Sequence, residues 1–365
     1  MALTLPRRAF LATAGSAAVL PSVSWAEVGA PHYLAAAQVG ERYRLLGLGA
    51  DGAAVFDLPL PARGHAAAVH PSRAEAVAFA RRPGRFAIVV DCADGRISAT
   101  LDAPPGRHFY GHGAFSADGQ RLFTTENAYA TGDGRIGIWD AAAGYRRLGD
   151  MPSGGVGPHD MLLLPDGETL AVANGGIRTH PETGREKLNL PTMQPNLSYL
   201  RVADGTVHAQ VGPPPALRLN SIRHLAVSPD GLVAAALQWQ GEPEDGVPLL
   251  AFHRPHWSEL RLAEAEPYQL AAMQGYAGSV AFTGGGTHAA ITSPRGGRIM
   301  AWRTEGGAPA IWSRPDVCGL AAAGEGWIAT DGLGGIVALD ETLAPRALAR
   351  HGLAFDNHLI PRRAA

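Results

Sequence analysis

Short apolar runs alternate with turn chemistry along almost the whole chain. GHGAFSADGQRLFTTEN, PHDMLLLPDGETLAVAN and RHLAVSPDGLVAAALQW each give an apolar run, an Asp-Gly turn and a second apolar run. An Asp-Gly pair supplies the positive-φ residues of a tight hairpin, so each unit reads as strand, turn, strand. GHAAAVHPSRAEAVAFA and NHLIPRR open in the same way. GSVAFTGGGTHAAITS and CGLAAAGEGWIATDG fit the same frame, with Ser279 and Cys318 at the leading position. GRIGIWDAAAG, LSYLRVADG, PLLAFHR, GRIMAWR and GGIVALD read as further strands, each ending in a turn. Helix-period patterns are scarce, and 46 glycines suit a chain of many turns.

The leading positions are His65, His112, His159, His224, Ser279, Cys318 and His358, so successive units begin 47, 47, 65, 55, about 40 and 40 residues apart. A period of about 40–50 residues with several short strands predicts a β-propeller. Seven units predict an all-β, seven-bladed propeller. The last unit, from His358, has one strand before the chain ends, and RYRLLGLGADGAAVFDL (residues 42 to 58) would complete it from the N-terminal side. Such closure pairs an edge that would otherwise invite aggregation. A pair of β-sandwiches is the alternative architecture, and the fixed period disfavours it.

The N-terminus, MALTLPRRAFLATAGSAAVLPSVSWA, has Arg7-Arg8 ahead of a modest apolar stretch and a small-x-small site at Ser24-Trp25-Ala26. This predicts a twin-arginine signal peptide over residues 1–26, a propeller over 27–365 and a periplasmic destination. Pro6 and Ala12 depart from the usual twin-arginine consensus. The apolar stretch is too short for a membrane span. With 31 basic and 33 acidic side chains there is no basic run for nucleic acid or a membrane surface. The two cysteines, Cys92 and Cys318, fall in different units, so no disulfide is expected.

The recurrent histidine carries the candidate chemistry. In a propeller the innermost strands surround the axis, so His112, His159, His224, His65 and His358 would meet on one face. Neutral imidazole is the commonest transition-metal ligand, and this ring, with the Glu126 carboxylate beside it, is the candidate site for iron or another transition metal. Loops following the second strands open on the same face and bring Asn127, Asn174, Gln238, Arg295 and Asp331 as candidate ligand-binding groups. Arginines there suit a ligand with anionic groups. The third unit carries an insertion, IRTHPETGREKLNLPTMQPN, that could fold over the channel mouth and bring His180, Arg185 or Met193 to the ligand. The competing reading is structural: in WD-type propellers a Gly-His pair at this place points into its blade. His32, His108, His253, His256, His288 and His351 fall outside the repeat position and read as surface or loop residues.

No Gly-x-Ser-x-Gly elbow, His-Glu-x-x-His, haem-attachment motif, phosphate loop or dinucleotide fingerprint is present, so no catalytic residue is assigned. YGHGAFSADGQRLFTTEN, GPHDMLLLPDGETLAVANGGIRTHPETGREKLNL, the Met193-Gln194-Pro195 stretch, SIRHLAVSPDG, ITSPRGGR, DVCGLA and DNHLIP together resemble the Tat-exported proteins of the domain of unknown function 1513 family. The resemblance implies a WD40/YVTN-like propeller. It also implies a link to iron acquisition, since such proteins are typically encoded beside imelysin-type iron-uptake proteins and a dihaem protein, which are the candidate partners. It assigns no catalytic residue. Two functions follow: a periplasmic binding protein for a metal or metal complex, or a scaffold that docks an imelysin-like or haem protein and uses its histidines structurally. A metal-dependent enzyme is a third, weaker option.

Overall fold

The computed structural model describes residues 23–80, 86–184 and 186–362. They form seven four-stranded antiparallel sheets. Numbered from the first complete sheet, blades 1 to 7 have innermost strands Gly64–Val69, Arg107–Phe115, Pro158–Leu163, Asn220–Val227, Ser279–Phe282, Val317–Ala323 and Ala354–Pro361. These strands touch in sequence around a closed ring.

The core lies between blades. Both faces of each sheet are covered, so the inner strands read as continuous apolar runs rather than alternating ones. Seven buried clusters result, one per seam. Phe79 and Val89 of blade 1 meet Phe109 and Trp139 of blade 2, and Trp302 of blade 5 packs with Phe252 of blade 4. Ala-rich strands such as Val233–Trp239 let neighbouring sheets approach where larger aromatics fill the gap.

Blade 7 is the composite predicted from the repeat. Ala354–Pro361 pairs with Tyr33–Val39, followed by Arg42–Leu48 and Ala54–Leu60. The sequence supplied the outer two strands. The structure adds Tyr33–Val39, whose YLAAAQV composition carries only weak strand preference.

Residues 1–22 of the expected signal segment lie outside the described residues, but its end does not. Trp25 is 3% exposed in the seam between blades 7 and 1. Its indole N–H donates to the His70 carbonyl at 2.8 Å, and the Ala74 N–H donates to the Val23 carbonyl at 2.7 Å. Cleavage after Ala26 would remove this side chain from its seam, an expense of about 3–5 kcal/mol for a buried tryptophan. If the chain is processed, N-terminal sequencing of the mature protein is therefore expected to find Trp25 retained, and a mature terminus at Glu27 would refute this. Both cysteines are free and buried. Burial pushes each thiol up to about 12, so both are protonated thiols in the metal-free protein at neutral pH.

Candidate metal centre

The repeated histidine does not precede its strand, as the sequence suggested; it lies inside it, at a break in register. Pairing shifts between Gly64 and Ala67, Phe109 and Gly113, Pro158 and Asp160, Ile222 and His224, and Val317 and Leu320, and in blade 7 opposite Ala35 and Ala37. A bulge adds an unpaired residue and bends the strand, which re-aims a side chain. Here it turns each imidazole onto the axis.

All five rings converge. Centroid separations are 5.0 Å for His65–His112, 5.3 Å for His112–His159, 4.8 Å for His159–His224, 4.6 Å for His224–His358 and 4.8 Å for His65–His358. The last ring of the arc meets the first because blades 5 and 6 offer only Ser279 and Cys318 at the same position. The Cys318 thiol is turned to the carbonyls of Phe355, Asp356 and Thr330. Two triads, His65–His112–His159 and His112–His224–His358, have ligand atoms all within 4.8 Å of one another. Either triad can hold a metal ion.

Their hydrogen bonds separate the two. His112 Nδ1 lies 3.0 Å from Asp160 Oδ1. That carboxylate fixes the proton on Nδ1 and leaves the Nε2 lone pair for a ligand, the arrangement found behind metal-bound histidines. His112 Nε2 and His224 Nδ1 have no hydrogen-bond partner among the described residues, although their side chains are almost wholly buried. His159 differs: the Arg223 guanidinium, which can only donate, is 3.3 Å from His159 Nδ1 and occupies that lone pair. The chemistry therefore favours His112, His224 and His358 over the triad containing His159.

Asp160 is the carboxylate of the site. Burial raises its pKa, but electrostatic and hydrogen-bond contact with the His112 imidazole, the Leu225 N–H and the neighbouring His358 outweigh burial and hold it below the usual carboxylate range. Glu126, chosen from the sequence, is committed elsewhere. It is fully buried in blade 2 and paired with Arg147 at 2.6 and 3.0 Å and with Arg107 at 3.2 Å, and it accepts from Thr124. Its side chain shares the sheet face of Thr124, two residues away, and not the axis.

The other proposed ligand-binding groups mostly close turns. Asn174 is fully buried among Ser153, Asn196 and Ser198. Gln238 donates to the Ala277 carbonyl, and Asp331 pairs with Arg314 and accepts from the Leu333 and Gly335 N–H groups. His180 caps the short helix Pro181–Thr183 and meets the Tyr129 ring edge-on. Asn127 donates to the Thr179 carbonyl at 3.2 Å, which anchors the insertion near the axis. Arg295 stacks on Tyr276 at 4.5 Å on the exposed face. Of the insertion residues, Met193 is buried and Arg185 lies outside the described residues. His108 and His253, read as surface residues, are buried; His253 Nδ1 is 2.9 Å from the Tyr199 hydroxyl.

Two predictions arise here. Gly111 has φ +100°, and a Cβ there would stand 2.7 Å from His65 Cδ2. Gly111→Ala is expected to destabilise the fold by about 1–3 kcal/mol and to displace His65, read as a lower melting temperature. The second concerns pH. Burial, then Arg223 and neighbouring imidazoles, hold His159 well below 6.5; burial, then His358, His112 and Arg223, do the same for His224. Burial and Arg73 lower His70 to about 4. The unfolded chain binds these protons first, so stability is complete above about pH 6.5 and declines as pH falls toward the lowered folded values. Melting of the metal-free protein followed from pH 7 to 4 checks this, and a flat profile would contradict it.

The fold has solved counterparts. A chain of Kuenenia stuttgartiensis hydrazine synthase matches with TM-score 0.60 at 13% identity, over 83% of this chain and 90% of that one. The Myceliophteria thermophila Cps50 (Swd1) β-propeller domain matches with TM-score 0.57 at 11% identity, over 82% and 90%. At these identities the likeness is one of fold alone. No curated protein matches the sequence. The family of proteins of unknown function DUF1513 matches residues 58–361, six complete blades and the innermost strand of the seventh, and the chain belongs to that family.

Proposed function

We propose that this propeller is a periplasmic metal-binding protein that holds a transition metal on its axis through His112, His224 and His358, and that it serves iron acquisition. The observation that carries the reading is the convergence of three buried imidazoles, one of them oriented by Asp160. Neutral nitrogen ligands suit ferrous iron, copper, nickel or zinc. Donor atoms up to 4.8 Å apart must draw together to reach the ~2.0–2.1 Å bonds of a zinc–imidazole site. The twin-arginine segment supports periplasmic export of a folded chain, and the family's genomic neighbours support iron and a partner of imelysin or dihaem type.

Metal analysis of protein purified from its native periplasm tests the reading. About one equivalent of a transition metal is expected in wild type and almost none in the His112→Ala/His224→Ala/His358→Ala variant, which is checked for folding by circular dichroism. Metal-free wild-type protein that also fails to take up ferrous, cupric or zinc ions would make the histidines an axial plug and leave the scaffold function in their place.

A further inference from the structure

A small polar cavity adjoins the histidines through Arg223. It measures about 50 Å³ and is lined by Tyr110, Gly157, Gly175, Ile177, Thr179, Lys187 and Arg223. Its walls come from three sources that the chain brings together on purpose-built geometry. Tyr110 and Arg223 belong to the bulges that aim His112 and His224. Thr179 and Lys187 belong to the insertion of blade 3. Gly157 has φ +65°, and a Cβ there would meet the Ile177 carbonyl at 2.9 Å and the Tyr110 hydroxyl at 3.4 Å, so glycine keeps the space open.

The insertion is fastened in this position. Asn189 accepts from the Arg178 N–H at 2.7 Å and donates to the Gly176 carbonyl at 2.9 Å. The Leu188 N–H donates to the Arg178 carbonyl at 3.0 Å, beside Lys187 in the cavity wall. Thr179 Oγ1 lies 3.4 Å from the Tyr110 hydroxyl. The insertion thus forms one wall of the cavity, with Lys187 as its contribution.

The charge of this cavity is one-sided. Lys187 has no carboxylate partner among the described residues. Partial burial, then the charges of Arg223 and Arg295, hold its ammonium below the ordinary lysine range. No acidic side chain lines the cavity. Two cations and two hydroxyls facing one small space match an oxyanion. A water needs roughly 10–15 Å³ of such space, so the cavity suits a group of about four or five heavy atoms, the size of a phosphate or a chelator's carboxylate arm.

We propose that this cavity binds a small oxyanion through Lys187 and Arg223, with Tyr110 and Thr179 as hydroxyl partners. Arg223 also touches His159, so the anion would stand one side chain from the histidines. Its use as a co-ligand of the metal rests on the metal-binding reading; the anion site itself does not. The oxyanion can arrive free or as the carboxylate of a metal chelate.

Calorimetric titration of the metal-free full chain with inorganic phosphate, and separately with citrate, tests the site. Both are repeated with zinc present and with two variants at the exposed Lys187, where folding is undemanding. Saturable binding is expected in wild type. It should weaken about tenfold or more in Lys187→Gln, the loss of one charge-assisted hydrogen bond, and be largely restored in Lys187→Arg. Binding of phosphate without metal identifies a free oxyanion; binding of citrate only with zinc identifies a chelate. Absence of saturable binding in every arm, or equal affinity in Lys187→Gln, would overturn the proposal. Phosphate titrated without zinc involves no metal, so its failure says nothing against the histidine site, and failure of zinc to bind says nothing against the anion site.

Discussion

His224→Ala is expected to lower affinity for a transition metal by about a hundredfold or more, while His159→Ala leaves most of it intact. The asymmetry follows from lone pairs. Among the described residues His224 Nδ1 and His112 Nε2 are buried without partners, whereas His159 Nδ1 accepts from Arg223. Removal of an outer-shell partner typically costs 10–100-fold in metal affinity, and loss of a direct ligand costs more. His112→Ala and His358→Ala should behave as His224→Ala does. Competition titration against a chromophoric chelator reads all four variants. Equal losses in His159→Ala and His224→Ala would show that the ion sits nearer the His65–His112–His159 triad, and no loss in any of them would remove the site.

Asp160→Ala is expected to be the most damaging single change near the axis. The carboxylate links three blades. Oδ1 faces His112 Nδ1 of blade 2 at 3.0 Å and accepts from its neighbour Met161 N–H at 2.7 Å, while Oδ2 accepts from the Leu225 N–H of blade 4 at 3.0 Å. Alanine would strand these donors inside the ring. Each buried unsatisfied donor costs about 1–3 kcal/mol, so a loss of about 3–5 kcal/mol is expected, with a clear drop in melting temperature. Asp160→Asn keeps one acceptor and should lose less stability. It should still weaken metal binding, because an amide orients the imidazole without the carboxylate's charge. Denaturant unfolding of the two variants beside wild type measures this, and an Asp160→Ala protein as stable as wild type would refute it.

The sequence showed the blades because their signal is local and repeated. Asp-Gly turns such as Asp118-Gly119, Asp166-Gly167 and Asp230-Gly231 mark hairpins wherever they occur, and a shared frame aligned five histidines that no single segment would distinguish. Tyr33–Val39 lacked such a turn, and its three central alanines hide the strand preference of Tyr33 and Val39. The carboxylate of the site was misplaced for a geometric reason. In a regular strand His159 and Asp160 would face opposite sides, which directs attention away from Asp160 and toward Glu126. The bulge after Pro158 breaks that alternation and lets both neighbours act at the axis. Bulges leave little trace in sequence, so the position of Arg223 beside His159 was equally hidden. The cationic cavity needed the folded insertion, since Lys187 lies far along the chain from Tyr110 and Arg223.

The central claim is a metal on the propeller axis. Anomalous diffraction from crystals grown with a stoichiometric transition metal, recorded above and below its absorption edge, tests it most directly. The account predicts one strong difference peak at bonding distance from His112 Nε2, His224 Nδ1 and a nitrogen of His358, with Asp160 still held against His112 Nδ1. A peak confined to surface histidines, or an axis with no anomalous signal, would contradict it.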